Sequence, residues 1–373
     1  MLNPLDDLPV HQTPEPIAHY GSPSRNAYDR YFFNGYTPDG ELFFAAAMGL
    51  YPNRKVLDAA FSVVHDGVQR SIRTSGRAPL DRRDTSMGPI RVEVVDPMRQ
   101  LRVLVDDADR GFHVDATFTA RTVAVEEPRF TFRSGTLVTF DYTRLAQWGT
   151  WTGTIEVDGR SWTLDEMAVR GCRDRSWGIR PVGERESGGA PGGLPQFFWL
   201  WAPINFDDVC THFDTNELSD GRPWHQSGAI VPVLDSPDAP VIDPGDVAEP
   251  MRDVDWSIDW QPGTRRARGA TLDLHPWRGG SERIELEPLV TFQMLGLGYL
   301  HPEWNHGAWH GELDVADDTL VLADLDPMDH AHLHVQQLVR ARWGDRVGTG
   351  VLEQLVIGPH EPSGFTDLLD PAR

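Results

Sequence analysis

The residues best suited to chemistry lie in Gly171-Cys172-Arg173-Asp174-Arg175-Ser176-Trp177-Gly178-Ile179-Arg180, the most idiosyncratic stretch of the chain. In a β-strand, residues two apart share a face, so Asp174 is expected beside Cys172 and Ser176 while Arg173 and Arg175 point the other way. An aspartate carboxyl taken out of water into apolar surroundings keeps its proton to higher pH and can then act as a general acid. Alternatively, Asp174 is one member of an ion-pair network with Arg170, Arg173, Arg175 and Arg180, and a charged partner would disable it as an acid. Histidines supply the complementary base: six of the 14 fall between His301 and His334. His330, His332 and His334, at spacing two, would present three imidazoles on one strand face. There His332 or His334 could hold a water molecule, or the cluster could bind zinc or iron with help from Asp208, His212, Asp214 and Glu217. The expectation adopted is a site without metal or cofactor, with Asp174 and His332 catalytic. Trp151, Trp177, Trp199, Trp201, Tyr299, Trp309, His330 and His334 would form the wall around the substrate, where aromatic faces can stabilise a cation.

Such groups need a scaffold that excludes water, and the composition supplies one. The 373 residues are 40% hydrophobic and 10% aromatic, with 13 Trp and 16 Phe. Acidic residues outnumber basic ones 56 to 34, a net charge of −22 that repels nucleic acid and anionic lipid headgroups. Lys55 is the one lysine, which argues against Schiff-base and P-loop chemistry. Neither a Gly-x-Ser-x-Gly nucleophile motif nor a glycine-rich dinucleotide turn occurs. Cys172 and Cys210 are too few for a disulfide framework. The longest apolar stretch, Phe197 to Pro203, is far too short for a bilayer span, so a soluble, cytoplasmic protein is expected.

Short alternating runs dominate, such as Phe112, Val114, Ala116, Phe118 and Ala120, and Asp158-Gly159 marks a hairpin. The two halves also match faintly. Gln147–Gly153 aligns with Asn305–Gly311, Glu127-Pro128 with Glu287-Pro288, and Phe43-Phe44 with Phe197-Phe198. The fold predicted is therefore all-β, with two tandem lipocalin-like β-barrel domains related by internal duplication. Residues 1–26 form an N-terminal arm, 27–185 the first barrel, 186–193 a linker and 194–365 the second barrel. The alignment lays Cys172, Asp174 and Ser176 onto His330, His332 and His334. Phe197-Phe198-Trp199-Leu200-Trp201 is expected as a strand buried on both faces, and Tyr299–Trp309 as a long loop at a barrel mouth or an interdomain cleft.

Asp174-Arg-Ser-Trp177-Gly178, preceded by Gly171, resembles the glycine, aspartate and Trp-Gly signature of the carotenoid 1,2-hydratase (hydroxyneurosporene synthase) superfamily. The resemblance implies two lipocalin-like barrels and chemistry on isoprenoid or polycyclic double bonds, and it places the proposed proton donor at Asp174. The function expected is a cofactor-independent hydro-lyase (hydratase) or isomerase acting on a C=C bond of an apolar isoprenoid-like small molecule. The alternatives are a non-catalytic lipocalin-like carrier of a lipid or terpenoid and a His-metal enzyme.

Overall fold

The computed structural model describes residues 2–182 and 194–373, so the linker expected over 186–193 lies outside the described residues. The first half builds β1 (Ala27–Tyr36), β2 (Phe43–Tyr51), β3 (Val56–His65), β4 (Val68–Arg77), β5 (Ile90–Asp96), β6 (Gln100–Asp107), β7 (Phe112–Ala120), β8 (Leu137–Val157) and β9 (Arg170–Ile179). The second half builds β10 (Phe197–Trp201), β11 (Val209–Glu217), β12 (Pro223–Pro232), β13 (Glu249–Trp260), β14 (Ala267–Pro276), β15 (Glu282–Gln293), β16 (Leu313–Val321), β17 (Val335–Trp343) and β18 (Arg346–Ile357). Helix among the described residues is confined to short 3-10 turns.

Two antiparallel barrels result. Strands β4-β3-β2-β1-β9-β8-β7-β6-β5 form a nearly closed one, and β12-β11-β10-β18-β17-β15-β14-β13 close back onto β12. In each, the first strand pairs with the last, β1 with β9 and β10 with β18. The second half also lends a strand to the first sheet, since β16 pairs along the free edge of β4. Arg73 and Arg77 of β4 add ion pairs to Asp318 and Glu312 on or beside that strand.

Strand alternation sorts the apolar residues into three layers. Phe33, Phe44, Phe61, Phe118 and Trp151 fill the first barrel, and Phe198, Leu200, Phe213 and Leu272 fill the second. Phe32, Phe43, Trp148, Trp199, Trp201 and Phe292 meet in the seam between them. The Phe-Phe-Trp-Leu-Trp run is thus buried on both sides, one face in a barrel core and the other in the seam. Cys172 and Cys210 are buried and free.

The structure corrects the residue-level alignment of the halves. Gln147–Gly153 lies inside β8, whereas residues 305–311 form an irregular loop. Likewise His330–His332 is a 3-10 turn capped by Asp329 rather than a strand, so spacing two does not put its imidazoles on one face. By topology, the counterpart of β9, and so of Asp174, is β18.

Candidate functional site

Glycines position β9. A Cβ on Gly171 would lie 2.0 Å from the Asn34 carbonyl oxygen. That close approach lets the Trp151 indole donate to the same oxygen at 2.9 Å and the Cys172 N–H donate to Asn34 Oδ1 at 2.8 Å. Gly178 has φ +141, and a Cβ there would meet the Asp141 carbonyl at 2.4 Å. Between these fixed points the strand alternates as its sequence predicts. Arg173 turns away from the seam, bonds Gln147 and lies over Phe118. Arg175 pairs with Asp29 and covers Tyr31. Asp174 and Ser176 face the seam, where they line a cavity of about 330 Å³.

Both barrels contribute to this chamber, which lies between the two. From the first come Arg30 and Phe32 of β1, and Phe140, Tyr142 and Arg144 of β8. From the second come Phe197 and Trp199 of β10, Trp224 of β12, and Glu353 and Leu355 of β18. Tyr299 and His306, from the loop after β15, and His334, just before β17, complete the wall.

Two carboxyl groups in the cavity differ in their partners. Among the described residues no guanidinium forms an ion pair with Asp174, and burial pushes its carboxyl up to about 6 although the field of Arg144 pulls the other way. Glu353 is also enclosed, which would raise it. Hydrogen bonds from His334 Nε2 at 2.8 Å, Gln336 Nε2 at 2.6 Å and the Trp199 indole at 2.9 Å instead hold it below the usual carboxylate range. His334 Nε2 faces the Glu353 carboxylate, and its Nδ1 is buried with no protein partner. His306 is pressed well below its ordinary value by burial and by Arg30 and Arg180, and is neutral.

At the cavity wall, Arg144 spans the seam. It donates to Glu127 at 2.6 Å and to Asp214 of β11 at 2.9 Å, with its guanidinium 4.8 Å above the Trp199 ring. Asp214 also accepts from Ser227 at 2.5 Å and bonds His225 at 3.1 Å. Glu127, Asp214 and His225 bring their ligand atoms within 4.8 Å of one another, as a metal site would. The Arg144 guanidinium supplies a positive charge to the two carboxylates of this group.

Of the residues singled out from sequence, Asp174, Trp199, Tyr299 and His334 meet at the cavity. Trp201 is buried in the seam near Arg144 without lining the chamber. Trp151 belongs to the core of the first barrel. Trp177, 40% exposed, points outward, and Trp309, 49% exposed, lies under Arg77. His330 borders a separate, wider groove. His332 bonds the Asp326 carbonyl at 2.9 Å and stays outside the chamber, because the 3-10 turn carries it away. Sequence reasoning missed Arg144, Glu353, Arg30 and Tyr142. Their signal was faint: single polar residues inside apolar strands, a pattern with many ordinary causes.

No curated protein matches the sequence. Among solved structures, kievitone hydratase from Nectria haematococca superposes with a TM-score of 0.55 at 11% identity, covering 91% of this chain and 93% of that one. A protein of Nitrosomonas europaea assigned to AttH gives a TM-score of 0.53 at 12% identity, covering 88% and 92%. No helix among the described residues is long and apolar enough to cross a membrane. Residues 2–366 match one family along their length, and the chain belongs to that family of unknown function, DUF8625.

Proposed function

We propose that this protein is a hydratase-type enzyme, related to the carotenoid 1,2-hydratase superfamily, that adds water to, or removes it from, a C=C bond of a largely apolar substrate held between the barrels. The observation that carries this reading is the pair of carboxyl groups in one aromatic chamber with protonation driven apart, Asp174 upward and Glu353 downward. The shared architecture with kievitone hydratase supports it.

In the forward direction Asp174 gives its proton to one alkene carbon, forming a C–H bond and leaving the adjacent carbon cationic. The rings of Trp199 and Tyr142 face that carbon. A water oxygen bonds to it while His334 Nδ1 takes the water proton, and Glu353 stabilises the resulting imidazolium. Return of that proton to Asp174 through solvent closes the cycle, and microscopic reversibility gives the elimination. General acid catalysis of this kind contributes roughly 10² to 10⁴ in rate.

The test is incubation of the protein in D2O with prenylated phenols and unsaturated terpenoid acids, read by mass spectrometry. The expected product gains one water with one deuterium fixed on carbon. Asp174→Asn should abolish its formation while retaining substrate affinity. Binding without carbon-bound deuterium in the wild type would reduce the protein to a carrier.

A further inference from the structure

Two guanidinium groups in the chamber wall keep N–H groups that no protein atom meets. Arg30 is only 2% exposed, and its Nε and Nη1 find no hydrogen-bond partner. Arg180 Nε is likewise buried without one. Both line the cavity and flank Tyr299, their guanidinium carbons 4.9 and 5.9 Å from its ring centroid.

The charge of Asp58 reaches Arg30, yet among the described residues no carboxylate forms an ion pair with Arg30 or Arg180. Asp58 accepts from the Tyr51 hydroxyl at 3.3 Å and the Gly307 N–H at 2.7 Å. Glu127 and Asp214 share Arg144. Glu353 is satisfied by His334, Gln336 and Trp199. Asp174 must carry a proton to act, and then it neutralises nothing. Buried guanidinium N–H groups without acceptors are costly, and the two cations would repel a carbocation formed in the same space.

We infer that Arg30 and Arg180 form a recognition site for an acidic oxygen group, so that the substrate is an apolar organic acid rather than a neutral hydrocarbon. This rests on the proposed hydratase reading and narrows its substrate class. Guanidinium is the group suited to the task, because its planar N–H fork binds an oxyanion through charge-assisted hydrogen bonds. The anion would anchor one end of the ligand beside Tyr299, leaving its apolar body to extend along Trp199 and Phe140.

Two fluorescent probes differing only in charge test the inference on the full chain: 8-anilinonaphthalene-1-sulfonate and the neutral N-phenyl-1-naphthylamine. The wild type should bind the sulfonate at least about tenfold more tightly, about 1.4 kcal/mol, because the probe's charge gains charge-assisted hydrogen bonds. Arg30→Gln and Arg180→Gln should each remove most of that preference while leaving the neutral probe within about twofold of wild type, as expected where only polar contacts are lost. If a Gln variant loses both probes through misfolding, Arg180→Lys, which keeps the charge, should retain the neutral probe and part of the sulfonate preference. Equal affinities in the wild type, no binding of either probe, a preference that survives both Gln substitutions, or its absence in a folded Arg180→Lys protein would each overturn the inference. Asp174→Asn separates the two levels: it should leave the sulfonate preference intact while abolishing deuterium incorporation. A preserved preference without wild-type turnover would therefore overturn the hydratase reading alone.

Discussion

Asp174 and Asp214 both project from mid-strand into the seam, and both are enclosed, yet their environments drive them in opposite directions. Asp214 is met by Arg144, His225 and Ser227. Against the pull of burial, His225 and then His212 help hold it well below the ordinary range. Asp174 meets none of these partners and rises to about 6. Burial alone therefore does not set the charge of a carboxyl; a direct ion pair decides whether it is held ionised or keeps its proton to higher pH.

The comparison can be broken most violently at Arg144. Arg144→Met would leave Glu127 and Asp214 enclosed without their shared counter-ion. Denaturant unfolding should show a loss of about 3–5 kcal/mol, the usual cost of orphaning a buried pair. A loss below 1 kcal/mol would mean that the seam does not depend on this clamp.

The opposite experiment removes a charge that has no partner. Because the folded pKa of Asp174 lies above its unfolded value, the native state binds more protons between about pH 4 and 6, and stability falls as pH rises through that window. Asp174→Asn should therefore raise stability by up to about 3 kcal/mol at pH 8, with no gain below pH 4. Thermal melts across that range check the sign. Lower stability of the variant at pH 8 would place Asp174 among the structural carboxylates.

Two smaller effects sharpen the picture. Gly171→Ala would drive a methyl group against the Asn34 carbonyl and shift the strand carrying Asp174, costing about 1–3 kcal/mol as overpacking does. His332→Ala, outside the chamber, should change stability by less than about 0.5 kcal/mol and leave turnover within twofold. A large loss of turnover there would return His332 to the site in place of His334.

Much of the scaffold was legible from local pattern. Alternation in Phe112–Ala120 and the Asp158-Gly159 turn named strands and a hairpin, and spacing two put Asp174 and Ser176 on one face with Arg173 and Arg175 on the other. The same rule failed at His330–His332, because alternation predicts a common face only where the backbone is extended, and Asp329 caps a 3-10 turn there. The faint repeat also aligned a strand with a loop at 305–311, since a few shared glycines and tryptophans do not fix register.

What the sequence determined by itself was the all-β class, the anionic surface and the face on which Asp174 sits, because these follow from composition and from a backbone period of two. The tertiary structure alone decided that no guanidinium among the described residues pairs directly with Asp174 while Arg144 pairs with Asp214, and that Glu353 and His334 stand in the same chamber. Those facts depend on which residues, distant in the chain, pack together across the seam, and no local period encodes that.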